Sequence, residues 1–128
     1  IGADQMLELG GSLFHKPADM EEARAQLLDL RGKTHRLQAA VTLMRDGILL
    51  WQHVETAELT LRDFSAEELD RVLAEEGEAL LGSVGAYRLE GPSIRLFESV
   101  RGDYFTILGL PLLPLLAALR SHAPETLL

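Results

Sequence analysis

THRLQAAVTLMRDGILLWQHVETAELTL, residues 34–61, decides the fold class. Leu37, Ala39, Val41 and Leu43 fall at every second position, the spacing that sends side chains to one face of a strand. Asp46-Gly47 then supplies a two-residue turn, because both residues tolerate the positive backbone torsions such a turn needs. Leu49, Trp51, His53 and Glu55 alternate again on the way back. The stretch is a long antiparallel hairpin.

Upstream, IGADQMLEL (residues 1–9) predicts a strand that ends at Gly10-Gly11-Ser12, with Leu13-Phe14 as a short return strand. A helix is expected from Asp19, since Met20, Ala23, Leu27 and Leu30 recur at three-to-four spacing. Glu21 and Glu22 suit its first turn and Gly32 its end. Downstream, Ser65-Ala66-Glu67-Glu68 has the form of a capping box. It opens a helix with Leu69, Val72 and Leu73 inward, closed by Gly77. Strands are expected over 84–90 and 94–100, joined through Gly91-Pro92-Ser93. A last helix follows Pro111 through Leu112, Leu115, Leu116 and Leu119. Helices and strands are interspersed without a linker or repeat. The expectation is therefore one α/β (mixed α+β) domain over residues 1–128.

Composition narrows the function classes. The 128 residues are 47% apolar and 25% charged, which is globular rather than disordered. Twelve Lys and Arg against twenty Asp and Glu give −8, so a polymeric nucleic-acid backbone would be repelled. A small phosphorylated ligand is compatible with a local basic site. The absence of cysteine excludes a disulfide framework, a thiolate metal site and a thiol nucleophile, and fits a reducing cytoplasm. The longest apolar stretch, Ile107 to Leu119, is shorter than the roughly 20 residues a spanning helix needs, and prolines interrupt it, so no membrane partner is expected. No basic-then-apolar pattern at the start leads us to expect a signal peptide. There is no initiator methionine, and Ile1-Gly2-Ala3-Asp4 reads as strand interior, which places the expected N-terminus upstream.

His15, His35, His53 and His122 show neither H-x-H nor H-E-x-x-H spacing, against a histidine zinc site. There is no G-x-S-x-G elbow and no P-loop. Asp4 lies within an apolar strand, where a carboxylate caps a turn, pairs, or holds a metal. Lys16 precedes Pro17, which fixes the backbone beside it; it is either a surface lysine or an ammonium facing a cleft. Glu90, expected at a strand end before Gly91-Pro92, is either a turn acid or an acceptor for a ligand's N–H groups. The acidic helix carrying Glu67, Glu68, Asp70, Glu75, Glu76 and Glu78 reads as a solvated face. His35 reads as a strand-start histidine with local hydrogen bonds.

Taken in order, Gly2-Ala3-Asp4-Gln5, His15-Lys16-Pro17, Arg31-Gly32-Lys33-Thr34-His35, Phe64-Ser65-Ala66-Glu67-Glu68-Leu69, Gly85-Ala86-Tyr87-Arg88-Leu89-Glu90-Gly91, Leu96-Phe97-Glu98, Gly102-Asp103-Tyr104 and Leu108-Gly109-Leu110-Pro111 resemble the Maf family of nucleoside triphosphate pyrophosphatases, relatives of the inosine triphosphate pyrophosphatases. The resemblance implies a twisted mixed sheet flanked by helices. It also implies that this chain is the C-terminal part of a longer one, lacking a Ser-x-Ser-x-x-Arg phosphate-binding segment. The implied activity is hydrolysis of a nucleoside triphosphate between the α and β phosphates, assisted by Mg²⁺ or Mn²⁺. Asp4 is then the catalytic carboxylate, holding the metal or taking a proton from water. Lys16 is the catalytic cation that neutralises phosphate charge. Gln5 and Glu90 are the specificity residues. Pyrimidine-preferring members resemble A-D-T, a later lysine and I-Q-G. Here Gln5, Ser83 and Glu90 stand instead, a combination resembling the 7-methyl-GTP branch. A carboxylate can accept both N1–H and N2–H of guanine, and N7 methylation strengthens those bonds. The family also implies a cytoplasmic enzyme able to form a homodimer. A dTTP or UTP pyrophosphatase, a nucleotide- or partner-binding regulator linked to septum formation, and a fragment without turnover are the other readings.

Overall fold

The first strand, β1 (Gly2–Leu9), reverses through Gly10 and Gly11, both at positive φ, into β2 (Ser12–Phe14). The two pair antiparallel with Leu7 opposite Phe14. The hairpin lies where its alternation put it: β3 spans Thr34–Arg45 and β4 spans Ile48–Leu61. Asp46 and Gly47 between them take φ of 52° and 77°, the left-handed pair that a tight hairpin turn requires. A fifth strand, β5 (Phe97–Arg101), pairs antiparallel with β4, Leu59 opposite Val100. The strand order is β2-β1-β3-β4-β5, and helices flank the strands, giving the expected mixed α/β class. The computed structural model describes residues 1–127.

The chain divides into two compact units. The first comprises Ile1–Gln5, Leu37–Ala57 and Gly102–Leu128. It carries α3 (Tyr104–Leu108) and α4 (Leu112–His122). Its core gathers Val41 and Leu43 of β3 against Leu115, Ala118, Leu119 and Ala123, with Trp51 and Leu116 packed around them. Each fully buried aliphatic side chain of this size contributes about 1.5–3 kcal/mol. Pro114 leaves α4 intact because it stands in the first turn, where a backbone N–H has no helical acceptor to lose.

The second unit comprises Met6–Arg36 and Glu58–Arg101. Helix α1 (Met20–Leu30) starts as expected, with the Asp19 carboxylate accepting from the Glu22 N–H at 2.8 Å. Helix α2 (Ala66–Glu76) is capped by the Ser65 hydroxyl, which accepts from the Glu68 N–H at 3.1 Å. The capping box is only half formed. The Glu68 carboxylate turns to the Arg62 guanidinium at 3.1 Å. Arg62 also donates through its side chain to the Arg95 carbonyl and through its backbone to the Leu96 carbonyl, while its own carbonyl accepts from the Gly32 N–H. The end of α1, the start of α2 and the segment before β5 are thus stitched at one residue.

Two expected strands need correction. Residues 84–90 are not a strand but a sequence of turns, because Gly85 and Ala86 take φ of 83° and 62°. The expected strand 94–100 begins only at Phe97; Pro92–Leu96 is a 3₁₀ turn, as is Gly77–Gly82. Helix α3 and the closing 3₁₀ turn Pro124–Leu127 carried no expectation.

Candidate functional site

Asp4 and Gln5 belong to the first unit, and Lys16 and Glu90 to the second. In the first, β1 alternates so that Asp4 is exposed and Gln5 half-buried. One Asp4 carboxylate oxygen accepts from the Gln5 backbone N–H at 2.9 Å. That bond orients the carboxylate and leaves its second oxygen toward solvent. Among the described residues, no group of three His, Asp or Glu side chains gathers to hold a metal ion. A single exposed carboxylate still suits Mg²⁺, which is commonly held by one or two carboxylates plus substrate phosphates and water.

The Gln5 side chain runs the other way. Its Nε2 donates to the Ile107 carbonyl at 2.8 Å and the Thr106 carbonyl at 3.3 Å. These carbonyls belong to the last turn of α3, where helical donors run out; the Thr106 carbonyl also accepts from the Gly109 N–H at 3.1 Å. Gln5 is therefore a C-terminal cap for α3, alongside Gly109 in the left-handed region. At the other end of α3, Asp103 caps the N-terminus, its Oδ2 accepting from the Thr106 N–H at 3.0 Å. The Thr106 hydroxyl has one proton and two carboxylates within reach, Glu55 at 3.0 Å and Asp103 at 3.2 Å. Thr106 is fully buried. His53 stands 3.6 Å from the same Glu55 oxygen and stacks on Trp51 with rings 4° from parallel.

In the second unit, Lys16 is exposed and its neighbour Pro17 buried. The preceding carbonyl, of His15, accepts from Gln26 of α1 at 2.8 Å. The lysine backbone is anchored on both sides while its ammonium remains in water.

Glu90 sits in the turn segment rather than at a strand end. Its carboxylate is exposed and accepts from Arg88 Nε at 3.3 Å. The same guanidinium reaches the Glu76 carboxylate at 3.8 Å. Glu76 is the exception to the solvated acidic face of α2: its side chain is only 2% exposed. It accepts from the Ser93 N–H at 2.8 Å, and the Ser93 hydroxyl lies 2.9 Å away. Ser93 Oγ in turn accepts from the Arg88 N–H at 2.7 Å. A Cβ on Gly91 would come within 2.5 Å of Glu76 Oε1, so only glycine lets the backbone pass this close. The segment bearing Glu90 is held by Glu76 from beneath and by Ser93 across its base.

His35 is not a locally bonded strand-start histidine. It is 1% exposed, and its Nε2 lies 2.7 Å from the hydroxyl of Tyr87. Burial pulls its pKa down from 6.5 to about 4, so the ring is neutral at pH 7. Burial likewise pushes the Tyr87 phenol upward. Tyr87 completes the lock with its ring edge against Phe97, centroids 4.8 Å apart. The sequence offered both residues only as parts of separate motifs.

An apolar cleft of about 320 Å³ lies elsewhere in the first unit, lined by Leu43, Met44, Leu50, Leu119 and Ala123 with Arg45 at its edge. None of the four expected site residues lines it.

Residues 1–122 match the family model described as Maf-like protein. The chain is 57% identical over 126 residues, 98% of its length, to a protein of Granulibacter bethesdensis named nucleoside triphosphate pyrophosphatase, covering 64% of that protein. It is 58% identical over 94% of its length to a Brucella abortus protein named 7-methyl-GTP pyrophosphatase, covering 60% of it. A Caulobacter vibrioides protein named nucleoside triphosphate pyrophosphatase is 54% identical over 98% of the chain and 63% of the relative. The chain thus spans between 60% and 64% of the length of these relatives. A family match over residues 1–122, with relatives 54–58% identical over nearly the whole chain, makes this chain a member of the Maf-like protein family.

Proposed function

We propose that this protein hydrolyses a nucleoside triphosphate between its α and β phosphates, with 7-methyl-GTP as preferred substrate. Water adds to phosphorus at the bridge, the bridging P–O bond breaks, and a nucleoside monophosphate and pyrophosphate leave. The carrying observation is the adjacency of Asp4 and Gln5 on β1: an exposed, pre-oriented carboxylate beside an amide whose amino end is already bonded inward. Asp4 takes the proton that the attacking water loses, or contributes a carboxylate oxygen to a divalent cation. When bound, Mg²⁺ or Mn²⁺ supplies charge neutralisation at the phosphates and a more acidic water. Lys16 offsets negative charge that grows on phosphate oxygens as the bridge breaks. The resemblance assigns base choice to Gln5 and Glu90; each presents an acceptor of the kind that a guanine N–H donor suits, whereas a pyrimidine offers a single N–H between two carbonyls. The names of all three relatives support the reaction, and that of the Brucella abortus relative supports the base.

The family resemblance adds the setting: a cytoplasmic enzyme working on free nucleotides and able to form a homodimer. Among the described residues no helix is long and apolar enough to cross a membrane.

Pyrophosphate release from a panel of 7-methyl-GTP, GTP, dTTP and UTP, with Mg²⁺ or Mn²⁺, tests the proposal. The expected outcome is fastest release from 7-methyl-GTP; faster turnover of dTTP or UTP overturns the base assignment. Asp4→Asn should lower kcat by about 10²–10⁴ without unfolding the chain. Lys16→Met should act in the same direction. Full activity in Asp4→Asn removes the assigned catalytic carboxylate.

A further inference from the structure

The amide of Gln5 can be read for direction. Two carbonyl oxygens, of Thr106 and Ile107, lie within 3.3 Å of one end of it. A carbonyl end there would face two like dipoles, so the amino end must occupy that position. Its two protons match the two acceptors. Gln5 Oε1 receives no hydrogen bond among the described residues. The carbonyls that hold Gln5 are themselves held: Thr106 is buried, its N–H on Asp103 and its hydroxyl between Glu55 and Asp103.

We propose that Gln5 is a one-way acceptor: its amino end caps α3, its Oε1 meets an N–H donor on the substrate base, and Thr106 is the residue that positions it. Thr106 is a positioning residue here, acting only through Gln5. The recognised chemistry is an amine or imino N–H on the Watson–Crick edge of a guanine. The inference rests on the proposed pyrophosphatase reading for its substrate, but the amide direction stands on geometry alone. It explains why glutamine occupies this position. Glutamate would set a carboxylate against two carbonyls, and a shorter side chain would lose the bond to the Ile107 carbonyl.

The test combines kinetics with NMR of the Gln5 side-chain amide in the wild type, Thr106→Val and Thr106→Ser. Thr106→Val keeps side-chain shape and removes the hydroxyl. It should raise KM for 7-methyl-GTP about five- to tenfold, the loss of one well-placed hydrogen bond, with kcat and the UTP parameters little changed. Thr106→Ser should restore the wild-type KM. The Gln5 amide protons should be protected from exchange in the wild type and in Thr106→Ser, and lose protection in Thr106→Val. Freely exchanging Gln5 protons in the wild type overturn the proposal. So does a Thr106→Val protein that loses the protection yet keeps its KM ratio, or that loses kcat equally on both nucleotides without rescue by serine. Should the wild type release pyrophosphate from neither nucleotide, the pyrophosphatase reading fails. The Gln5 assignment is then decided by titration with 7-methyl-GTP. A shift of the Gln5 side-chain carbonyl carbon, absent with UTP, supports it; no shift overturns it.

Discussion

Gln5 and Glu90 offer the same chemistry by opposite means. Gln5, in the first unit, is a neutral amide whose direction is set by backbone carbonyls of a short helix. Glu90, in the second, is a charged group on a turn segment, balanced by an arginine that a buried Glu76 also engages. A dipole held by carbonyls cannot turn round without breaking two bonds. A carboxylate held by one exposed guanidinium can exchange that partner for another donor. The difference teaches that an acceptor can be fixed through shape or through charge, and that the two respond to different perturbations.

The sharpest way to break the comparison is Gly85→Ala. A Cβ there would lie 2.5 Å from Leu7 and 2.8 Å from Tyr87, on a backbone at φ 83°. The loss should be about 3–4 kcal/mol, read by urea unfolding, with the Glu90 segment displaced. An unchanged midpoint would mean that this segment is not packed as described. Acid is the next lever. His35 has a native pKa lowered to about 4, below its ordinary 6.5. Between those values the unfolded chain takes up a proton that the native ring refuses. Stability should therefore fall as pH drops from 6.5 to 4, by up to about 3 kcal/mol. His35→Phe should flatten that part of the Tm-against-pH curve. The Gln5 side-chain amide is held by backbone carbonyls, which do not titrate, so its protection should change less over the same range.

Glu76→Gln sharpens the contrast more gently. Glutamine can still accept from Ser93 but no longer pairs with Arg88. We expect a stability loss of about 1–2 kcal/mol and lower 7-methyl-GTP selectivity, measured by denaturation and by competition with UTP. A variant with wild-type selectivity would separate Glu76 from the orientation of Glu90. The smallest effect belongs to Ser65→Ala, which removes the cap of α2 and should cost about 1 kcal/mol in thermal unfolding. Selectivity should stay the same, since this cap touches neither acceptor.

Much of this was legible because local signals agreed. The hairpin declared itself through alternation and Asp46-Gly47. The two long capped helices declared themselves through Asp19 and Ser65. Residues 84–90 misled because Val84, Ala86 and Tyr87 have strand-like character, whereas Gly85 and Ala86 turn left-handed to fit beneath Leu7 and Tyr87. The Leu7 part of that constraint lies nearly eighty positions away. Helix α3 is too short for periodicity to show, so Gln5 could be singled out but its partner could not. His35 and Glu76 escaped for a related reason: their burial depends on Tyr87 and Ser93, distant in sequence.

Arg62 has a consequence for motion. With the carbonyls of Arg95 and Leu96, the Gly32 N–H and the Glu68 carboxylate converging on one residue, none of the three segment ends can fray independently. Deuterium should enter the amides of Gly32 and Arg62 at a common rate, in a single cooperative opening rather than end by end.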